Sequence, residues 1–115
     1  DVVGYSRGVR IGNIIEIAGT TAVEGAEVIG KGDLYLQTRH ILNKVALTLS
    51  ESGASLEDVV RTRMFVTDIS RWEEAGRAHG EVFSRIKPVT TMVEVSALIH
   101  PDLLIEIEVS AVIGG

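Results

Sequence analysis

Apolar and polar residues recur along the chain at two different spacings, and each spacing predicts one kind of element. The first spacing is two residues, and its apolar positions are Val9, Ile11, Ile15 and Ile17. The Gly12-Asn13 dipeptide at the centre of this run suits a two-residue turn, so the segment is predicted to be a β-hairpin. The stretch from Gly19 to Gly32 is small, polar and rich in glycine, which predicts a loop with room for one short edge strand.

Two later segments repeat their apolar residues at helical spacing. The first stripe consists of Leu34, Thr38, Ile41, Leu42, Val45, Ala46 and Leu49. Asp33 stands where this helix needs an N-cap, and Gly53 stands where it is expected to stop. The second stripe consists of Ala75, Ala78, His79, Val82, Phe83 and Ile86. Ser70 and Glu73 have the spacing of a capping box in front of this helix, and Pro88 ends it.

Three further strands complete the predicted order of elements. They are predicted at about residues 59–67, 90–96 and 103–112. The chain then reads ββαβαββ in one domain that spans residues 1–115. The predicted fold class is α/β, of the α+β kind, with a mixed sheet and two helices packed on one of its faces.

The other face of the predicted sheet has an unusual composition. On the last strand Ile105, Ile107 and Val109 alternate with Glu106, Glu108 and Ser110, and the third strand places Arg61, Arg63 and Phe65 on one side. On the fourth strand Met92 and Glu94 alternate with Val93 and Val95, and Met92 is expected on this second face. A face that mixes charges with Met, Phe and Thr is typical of a subunit interface, where the charges meet partners. An ordinary solvated face with ion pairs between its strands is the alternative interpretation.

Composition narrows the class of protein further. The 115 residues are 45% hydrophobic, which suffices for one core, and they include no cysteine for a disulfide or a thiolate site. With 11 Lys+Arg against 16 Asp+Glu and 4% aromatic residues, a broad nucleic-acid surface is not expected. No apolar run approaches the ~20 residues that span a membrane, and no signal peptide is recognised, so a cytoplasmic location is expected. The sequence opens on Asp1, which leaves any residues upstream of it an open question.

Four segments, taken in order, resemble one known family. They are GYSRGVRIGN at residues 4–13, IAGT at 17–20, VTD at 66–68, and VEV at 93–95 together with IEIE at 105–108. They are similar to the RidA family, also called YjgF-like, of reactive intermediate/imine deaminases, and the resemblance runs from end to end. It implies a chorismate-mutase-like fold and a homotrimer with a central barrel, outer helices and small-molecule clefts between subunits. It also implies hydrolysis of enamines and imines, such as 2-aminoacrylate and 2-iminopropionate, to 2-oxo acids and ammonia without cofactor or metal.

The resemblance also assigns roles to residues of this chain. Glu106 matches the catalytic carboxylate that positions the attacking water. The residues implied to bind substrate are Tyr5, Ala18, Gly19, Thr20, Thr90, Thr91 and Met92. Thr90 stands where the deaminases carry an Arg for the substrate carboxylate, and Ala18 stands where they carry a Ser. The chain therefore resembles an Arg-less subgroup, in which Arg85 is one candidate for the missing guanidinium.

These departures leave three classes of function open. A lost guanidinium–carboxylate pair weakens binding about 10- to 150-fold, so a neutral ligand fits Thr90 and Thr91 better. The first class is a hydrolase of imines or enamines in which Glu106 places the water. The second is a non-catalytic trimer that binds a small metabolite. Whichever class holds, Glu106 can also form an interface ion pair with Arg61 or Arg63 of a neighbour. An endoribonuclease or translation inhibitor is the third, and the net charge of −5 disfavours it.

Overall fold

The computed structural model describes residues 6–114, and its elements follow the predicted order. In chain order they are β1 (Gly8–Ile11), β2 (Ile14–Thr20), β3 (Val23–Glu24), β4 (Glu27–Val28), α1 (Leu34–Glu51), β5 (Val59–Val66), α2 (Trp72–Phe83), β6 (Val89–Glu94) and β7 (Ile105–Val112). The main sheet has the order β1-β2-β7-β5-β6, and all its pairs are antiparallel except β5 with β6. Strands β3 and β4 form a separate small hairpin where a loop with one edge strand was predicted.

The predicted hairpin is confirmed and is tied to the end of the first helix. Gly12 adopts a φ of 59°, which the turn between β1 and β2 requires and which glycine adopts without strain. Arg10 on β1 donates from Nε to the Gly12 carbonyl at 2.9 Å and from Nη1 to the Ser52 carbonyl at 2.7 Å. Gly53 has a φ of 83°, and a Cβ there would stand 2.8 Å from the same Nη1. A cation from the hairpin therefore satisfies a carbonyl at the C-terminus of α1.

The two helices begin in different ways. Asp33 caps α1 as predicted, because its Oδ1 accepts the Leu36 N–H at 2.9 Å. The prediction that Ser70 caps α2 is wrong. The Asp68 carboxylate accepts both the backbone N–H of Ser70 at 3.0 Å and its hydroxyl at 2.6 Å, so that hydroxyl acts as a donor. A short 3₁₀ turn, Ile69–Arg71, follows Asp68, and the α-helix itself begins at Trp72.

The core lies between both helices and one face of the sheet. Its largest fully buried side chains include Phe83, Ile15, Leu34, Ile41, Leu42, Leu49, Met64, Ile105 and Ile107. The predicted arrangement, with both helices on the same face, is confirmed. Met92, expected on the opposite face, pairs in register with Met64 and packs against this core. The correction arises because the register pairs Met92 with the buried Met64 of β5, and paired residues share a face of the sheet.

The opposite face of the sheet, called here the open face, carries charges as predicted. Ser110 donates its hydroxyl to Glu16 at 2.6 Å, and Arg63 lies 3.4 Å from Glu108. The register also places several apolar residues on this face, all substantially exposed: Val9, Ile11, Ile14, Val89 and Val93. Among the described residues, no element covers the open face.

One buried polar residue joins α1 to the segment before β7. Gln37 is 0% exposed, and its Nε2 donates to the carbonyls of Gly30 at 3.2 Å and Asp102 at 3.0 Å. Its Oε1 accepts the Leu104 N–H at 2.9 Å. Since Leu104 lies two residues before Glu106, this side chain fixes the start of the strand that carries the candidate carboxylate. Within residues 6–114, neither helix is long and apolar enough to cross a membrane.

Candidate functional site

The candidate catalytic carboxylate lies directly over a glycine. The β2–β7 pairing shifts register between Ile17 and Thr20, and the irregularity brings Gly19 beneath the Glu106 side chain. A Cβ on Gly19 would overlap the Glu106 carboxylate and stand 2.7 Å from its Cδ. The absence of a side chain at Gly19 therefore makes the space that the carboxylate occupies.

Glu106 is half-buried and lacks a counter-charge in the described part of the chain. On β5 its cross-strand neighbour is Phe65, whereas the nearby guanidinium of Arg63 pairs with Glu108. No hydrogen bond or ion pair to Glu106 forms within residues 6–114. Burial raises the pKa of the Glu106 carboxyl, and the neighbouring Glu108 raises it further. A carboxylate with a raised pKa is a stronger base towards water than an ordinary surface carboxylate.

Glu106→Gln is expected to stabilise the protein at pH 7, because it removes an unpaired, half-buried charge. A group whose pKa is higher in the folded state favours folding below its unfolded pKa, near 4.3, and loses that contribution as pH rises through the folded value. The gain should therefore be below about 1 kcal/mol at pH 7, given the solvent exposure, and should vanish near pH 4. Urea unfolding at both pH values measures it. A loss of stability at pH 7 would instead support an ion pair with Arg61 or Arg63 of a neighbouring chain.

A cleft of about 110 Å³ opens beside Gly19 and is lined by Arg7, Ala18, Gly19, Thr20 and Thr21. Three of the predicted substrate-binding residues thus line one cleft with Arg7. The Thr20 hydroxyl donates to the Ala18 carbonyl at 2.9 Å, which is a local hydrogen bond across Gly19 at the end of β2. Lys44 donates from Nζ to the Thr21 and Val23 carbonyls, both at 2.9 Å, and burial lowers the pKa of its ammonium group. The cleft has the size for a ligand of a few heavy atoms.

The predicted residues on β6 lie elsewhere. Thr90 is exposed but points to the helix-covered side, where its Oγ1 lies 2.8 Å from Thr62 Oγ1. Thr91 pairs with Arg63 and therefore shares the open face with Glu106. Met92 packs against the core. Tyr5 lies outside the described residues, so its predicted role is not tested.

Thr90 and Glu106 of one chain are too far apart to hold one small molecule. Their strands are separated by β5, which gives about 10 Å across the sheet. Glu106 pairs with Phe65 and Phe65 with Val93, so Thr90 lies three residues, or about 10 Å, further along its strand. The resulting separation is about 14 Å, with the two side chains on opposite faces.

Sequence reasoning did not single out Arg7, which lines the smaller cleft, whereas the candidate Arg85 lines neither cleft. His79, placed by the sequence in the apolar stripe of α2, is half-buried, and its Nε2 lies 2.9 Å from Thr62 Oγ1. Arg7 lies inside the resembling segment GYSRGVRIGN, which was the available signal for it. Nothing in the sequence linked His79 to Thr90, because their connection passes through a third element.

A second cleft, of about 360 Å³, lies between the small hairpin and the segment before β7. It is lined by Ala26, Glu27, Val28, Lys31, His100 and Asp102. Lys31 and Asp102 form an exposed pair at 3.3 Å, with side chains 71% and 37% exposed. None of the predicted site residues lines this larger cleft. The smaller cleft is therefore the better candidate, since one of its lining residues, Gly19, lies against the Glu106 carboxylate.

Known proteins share the sequence pattern and the fold of this chain. The family described as Endoribonuclease L-PSP matches residues 2–113. Rv2704 of Mycobacterium tuberculosis, a member of the YjgF/YER057c/UK114 family, is 51% identical with a TM-score of 0.89, covering 97% of this chain and 89% of Rv2704. The 3-aminoacrylate deaminase RutC of Acinetobacter baylyi is 33% identical over 104 residues, 90% of this chain and 82% of RutC. TdcF of E. coli, solved with bound serine, is 26% identical with a TM-score of 0.85, covering 94% of this chain and 87% of TdcF.

A mixed sheet with two helices on one face, in the order ββαβαββ, is the fold class that the RidA resemblance implied. The chain belongs to the RidA/YjgF-like family, because the family match and the relatives extend over nearly its whole length.

Proposed function

We propose that this protein is a hydrolase of small imines or enamines that acts without a cofactor. The observation that carries the proposal is the half-buried Glu106 carboxylate, which lies over Gly19 beside a cleft and has a raised pKa. Two relatives support the chemistry: one is a 3-aminoacrylate deaminase, and the other is TdcF, solved with bound serine. The molecules concerned, 3-aminoacrylate and serine, are both small and both bear an amino group.

Glu106 has a defined part in the proposed reaction. The carboxylate accepts a proton from a water molecule while the water oxygen bonds to the carbon of the C=N group. The π electrons of that bond move to nitrogen, which takes up a proton from solvent, and a carbinolamine results. Proton return from Glu106 to nitrogen then allows the C–N bond to break while the hydroxyl oxygen gives its proton to solvent, which releases ammonia and leaves a carbonyl compound. One water is consumed for each ammonia released.

The proposal includes a homotrimer with clefts between subunits. Thr90 and Glu106 of one chain lie on opposite faces, about 14 Å apart. A ligand that contacts both residues must therefore take Thr90 from one chain and Glu106 from another. The uncovered open face, with exposed Val9, Ile11 and Ile14, is a surface that a second copy can bury. Tyr5 as a substrate contact and a cytoplasmic location remain predictions within this proposal.

Thr90 limits which imine fits. One neutral hydroxyl replaces the two parallel donors and the charge of a guanidinium, which favours an uncharged group over a carboxylate. The proposed substrate is therefore a small imine without a carboxylate at this position, and 2-iminopropionate is expected to be a poor one. Ribonuclease activity is not proposed for this chain, because its net charge is −5.

Thr90→Arg is expected to raise kcat/KM for 2-iminopropionate at least about tenfold above the wild-type value, because it restores a bidentate partner for the carboxylate. Ammonia release from 2-iminopropionate generated in situ measures the effect, with a blank that lacks protein. Thr90→Gln, similar in length but uncharged, is the matched control and should show no comparable gain. Light scattering on the same samples should give the mass of three chains.

Other outcomes of this experiment would change the proposal. High wild-type activity that Thr90→Arg does not improve would mean that another cation, such as Arg7 at the cleft, holds the carboxylate. If neither protein releases ammonia faster than the blank, the hydrolase proposal fails. The non-catalytic metabolite-binding trimer would then be the better description, as the replaced Arg already suggests.

A further inference from the structure

A continuous chain of hydrogen bonds leads from α2 to the exposed end of β6. His79 Nε2 lies 2.9 Å from Thr62 Oγ1, and Thr62 Oγ1 lies 2.8 Å from Thr90 Oγ1. Thr90 Oγ1 in turn lies 3.2 Å from the Pro88 carbonyl oxygen. Thr62, the middle member, is 0% exposed, and the His79 ring stands 4.7 Å from the Phe83 ring. Solvent reaches this chain of bonds at Thr90.

The direction of the protons along this chain follows from the chemistry of its last member. A carbonyl oxygen only accepts, so Thr90 donates its single proton to Pro88. Thr90 must then accept from Thr62, which leaves Thr62 without a proton for His79. His79 Nε2 is therefore the donor at the start of the chain. The reverse direction would place the Thr90 oxygen against the Pro88 oxygen with no proton between them.

His79 is suited to this fixed role. Burial lowers the pKa of its imidazole, so the ring stays neutral near pH 7 and carries one N–H. The hydrogen bond to Thr62 selects the neutral tautomer of His79 in which Nε2 carries the proton. The last bond, from Thr90 to the Pro88 carbonyl, is the longest of the chain at 3.2 Å. It exceeds the about 2.5–3.0 Å that O–H···O bonds usually measure. The Thr90 proton is therefore held weakly by Pro88 and can turn to a better acceptor.

We infer that His79 is a positioning residue which, through Thr62, holds the Thr90 hydroxyl ready to donate to an oxygen of the ligand. The inference rests on the proposed function, in which Thr90 contacts the ligand. It also names a ligand class: a small imine with an uncharged carbonyl or amide oxygen, which accepts one hydrogen bond and needs no counter-charge. His79 itself does not touch the ligand.

The binding experiment compares Thr62→Val with Thr62→Ser, using pyruvamide and pyruvate as probes in calorimetric or NMR titrations. Thr62→Val removes the middle hydroxyl and is expected to weaken pyruvamide binding about tenfold, whereas Thr62→Ser should stay within about twofold of the wild type. The wild type should prefer pyruvamide to pyruvate, and Thr90→Arg should reverse this preference. Equal binding by Thr62→Val and the wild type would overturn the inference, as would a wild type that prefers pyruvate.

A spectroscopic measurement tests the chain of bonds without any ligand. The ¹⁵N signals of His79 in the wild-type protein should show a protonated Nε2 and an unprotonated Nδ1 near pH 7. An unprotonated Nε2 would overturn the inference even if the protein proves to be an imine hydrolase. Conversely, a wild type that binds neither probe and releases no ammonia would overturn the proposed function and the assigned ligand class. The His79 signals would then still report whether the directed chain exists.

Discussion

Glu106→Gln is expected to lower the turnover of an imine substrate at least about 100-fold, because an amide cannot accept the proton of the attacking water. The substitution preserves size and removes a charge that lacks a partner within residues 6–114, so the folded state should not suffer. Loss of turnover together with unchanged or raised stability would assign the effect to chemistry. The measurement is ammonia release under saturating substrate, made in the Thr90→Arg background if the wild type is slow on 2-iminopropionate. Undiminished turnover would remove Glu106 from the mechanism.

Gly19→Ala tests the same carboxylate by displacing it. The new Cβ would overlap the Glu106 carboxylate, and a flexible side chain can rotate away from it at little cost in stability. Turnover should therefore fall to a level similar to that of Glu106→Gln while the protein still folds. Gly80→Ala is the matched control, because a Cβ on that glycine of α2 meets nothing within 4 Å. It should keep full turnover and gain up to about 1 kcal/mol of helix stability.

Gln37→Leu is expected to reduce the free energy of unfolding by at least about 2 kcal/mol. The substitution keeps the approximate volume but leaves the Leu104 N–H and the Asp102 carbonyl without a partner, whereas the Gly30 carbonyl still accepts the Asp33 N–H at 2.8 Å. Each unsatisfied buried group costs about 1–3 kcal/mol. Denaturant unfolding measures the loss, and hydrogen exchange at Leu104 reports where the structure opens.

Asn43→Leu is the matched control for this effect. It introduces the same side chain on the exposed side of α1, where a change within about 0.5 kcal/mol is expected. A small loss for Gln37→Leu, similar to that of the control, would mean that water replaces the lost hydrogen bonds. In that case Gln37 would not be what fixes the start of β7.

Much of the fold was predictable because it depends on local chemistry. The turn at Gly12-Asn13 and the cap at Asp33 depend on residues within a few positions, and both are confirmed. The alternation on β7 also placed Ile105 and Glu106 on their correct faces. Ser70 failed as a cap because the Asp68 carboxylate, two residues earlier, is a strong acceptor that engages both the N–H and the hydroxyl of Ser70.

The remaining features depend on contacts between distant parts of the chain. Gln37 interrupts the apolar stripe of α1, and its burial makes sense only once the carbonyls of Gly30 and Asp102 are in place. Met92 was assigned to the wrong face because the alternation along β6 fixes two faces but does not say which one meets the helices. That choice is made by the register of the pairing with β5.

The candidate site was predictable only in part. The resemblance identified Ala18, Gly19 and Thr20, which the structure places at one cleft, with Glu106 over Gly19. It did not indicate that Thr90 lies on the opposite face from Glu106. A family resemblance names residues but does not give their positions in space. The distance between Thr90 and Glu106 therefore becomes known only from the register of the strands.

Arg10 has a consequence for how the molecule opens. An edge strand such as β1 has one neighbour in its sheet and is ordinarily among the first elements to fray. Here the same guanidinium that braces the hairpin turn also holds a carbonyl at the last turn of α1. Detaching the edge strand therefore also releases the end of a helix that belongs to the core. Opening of the edge strand and fraying of the helix end are therefore expected to be coupled, with the sheet margin gaining protection from exchange.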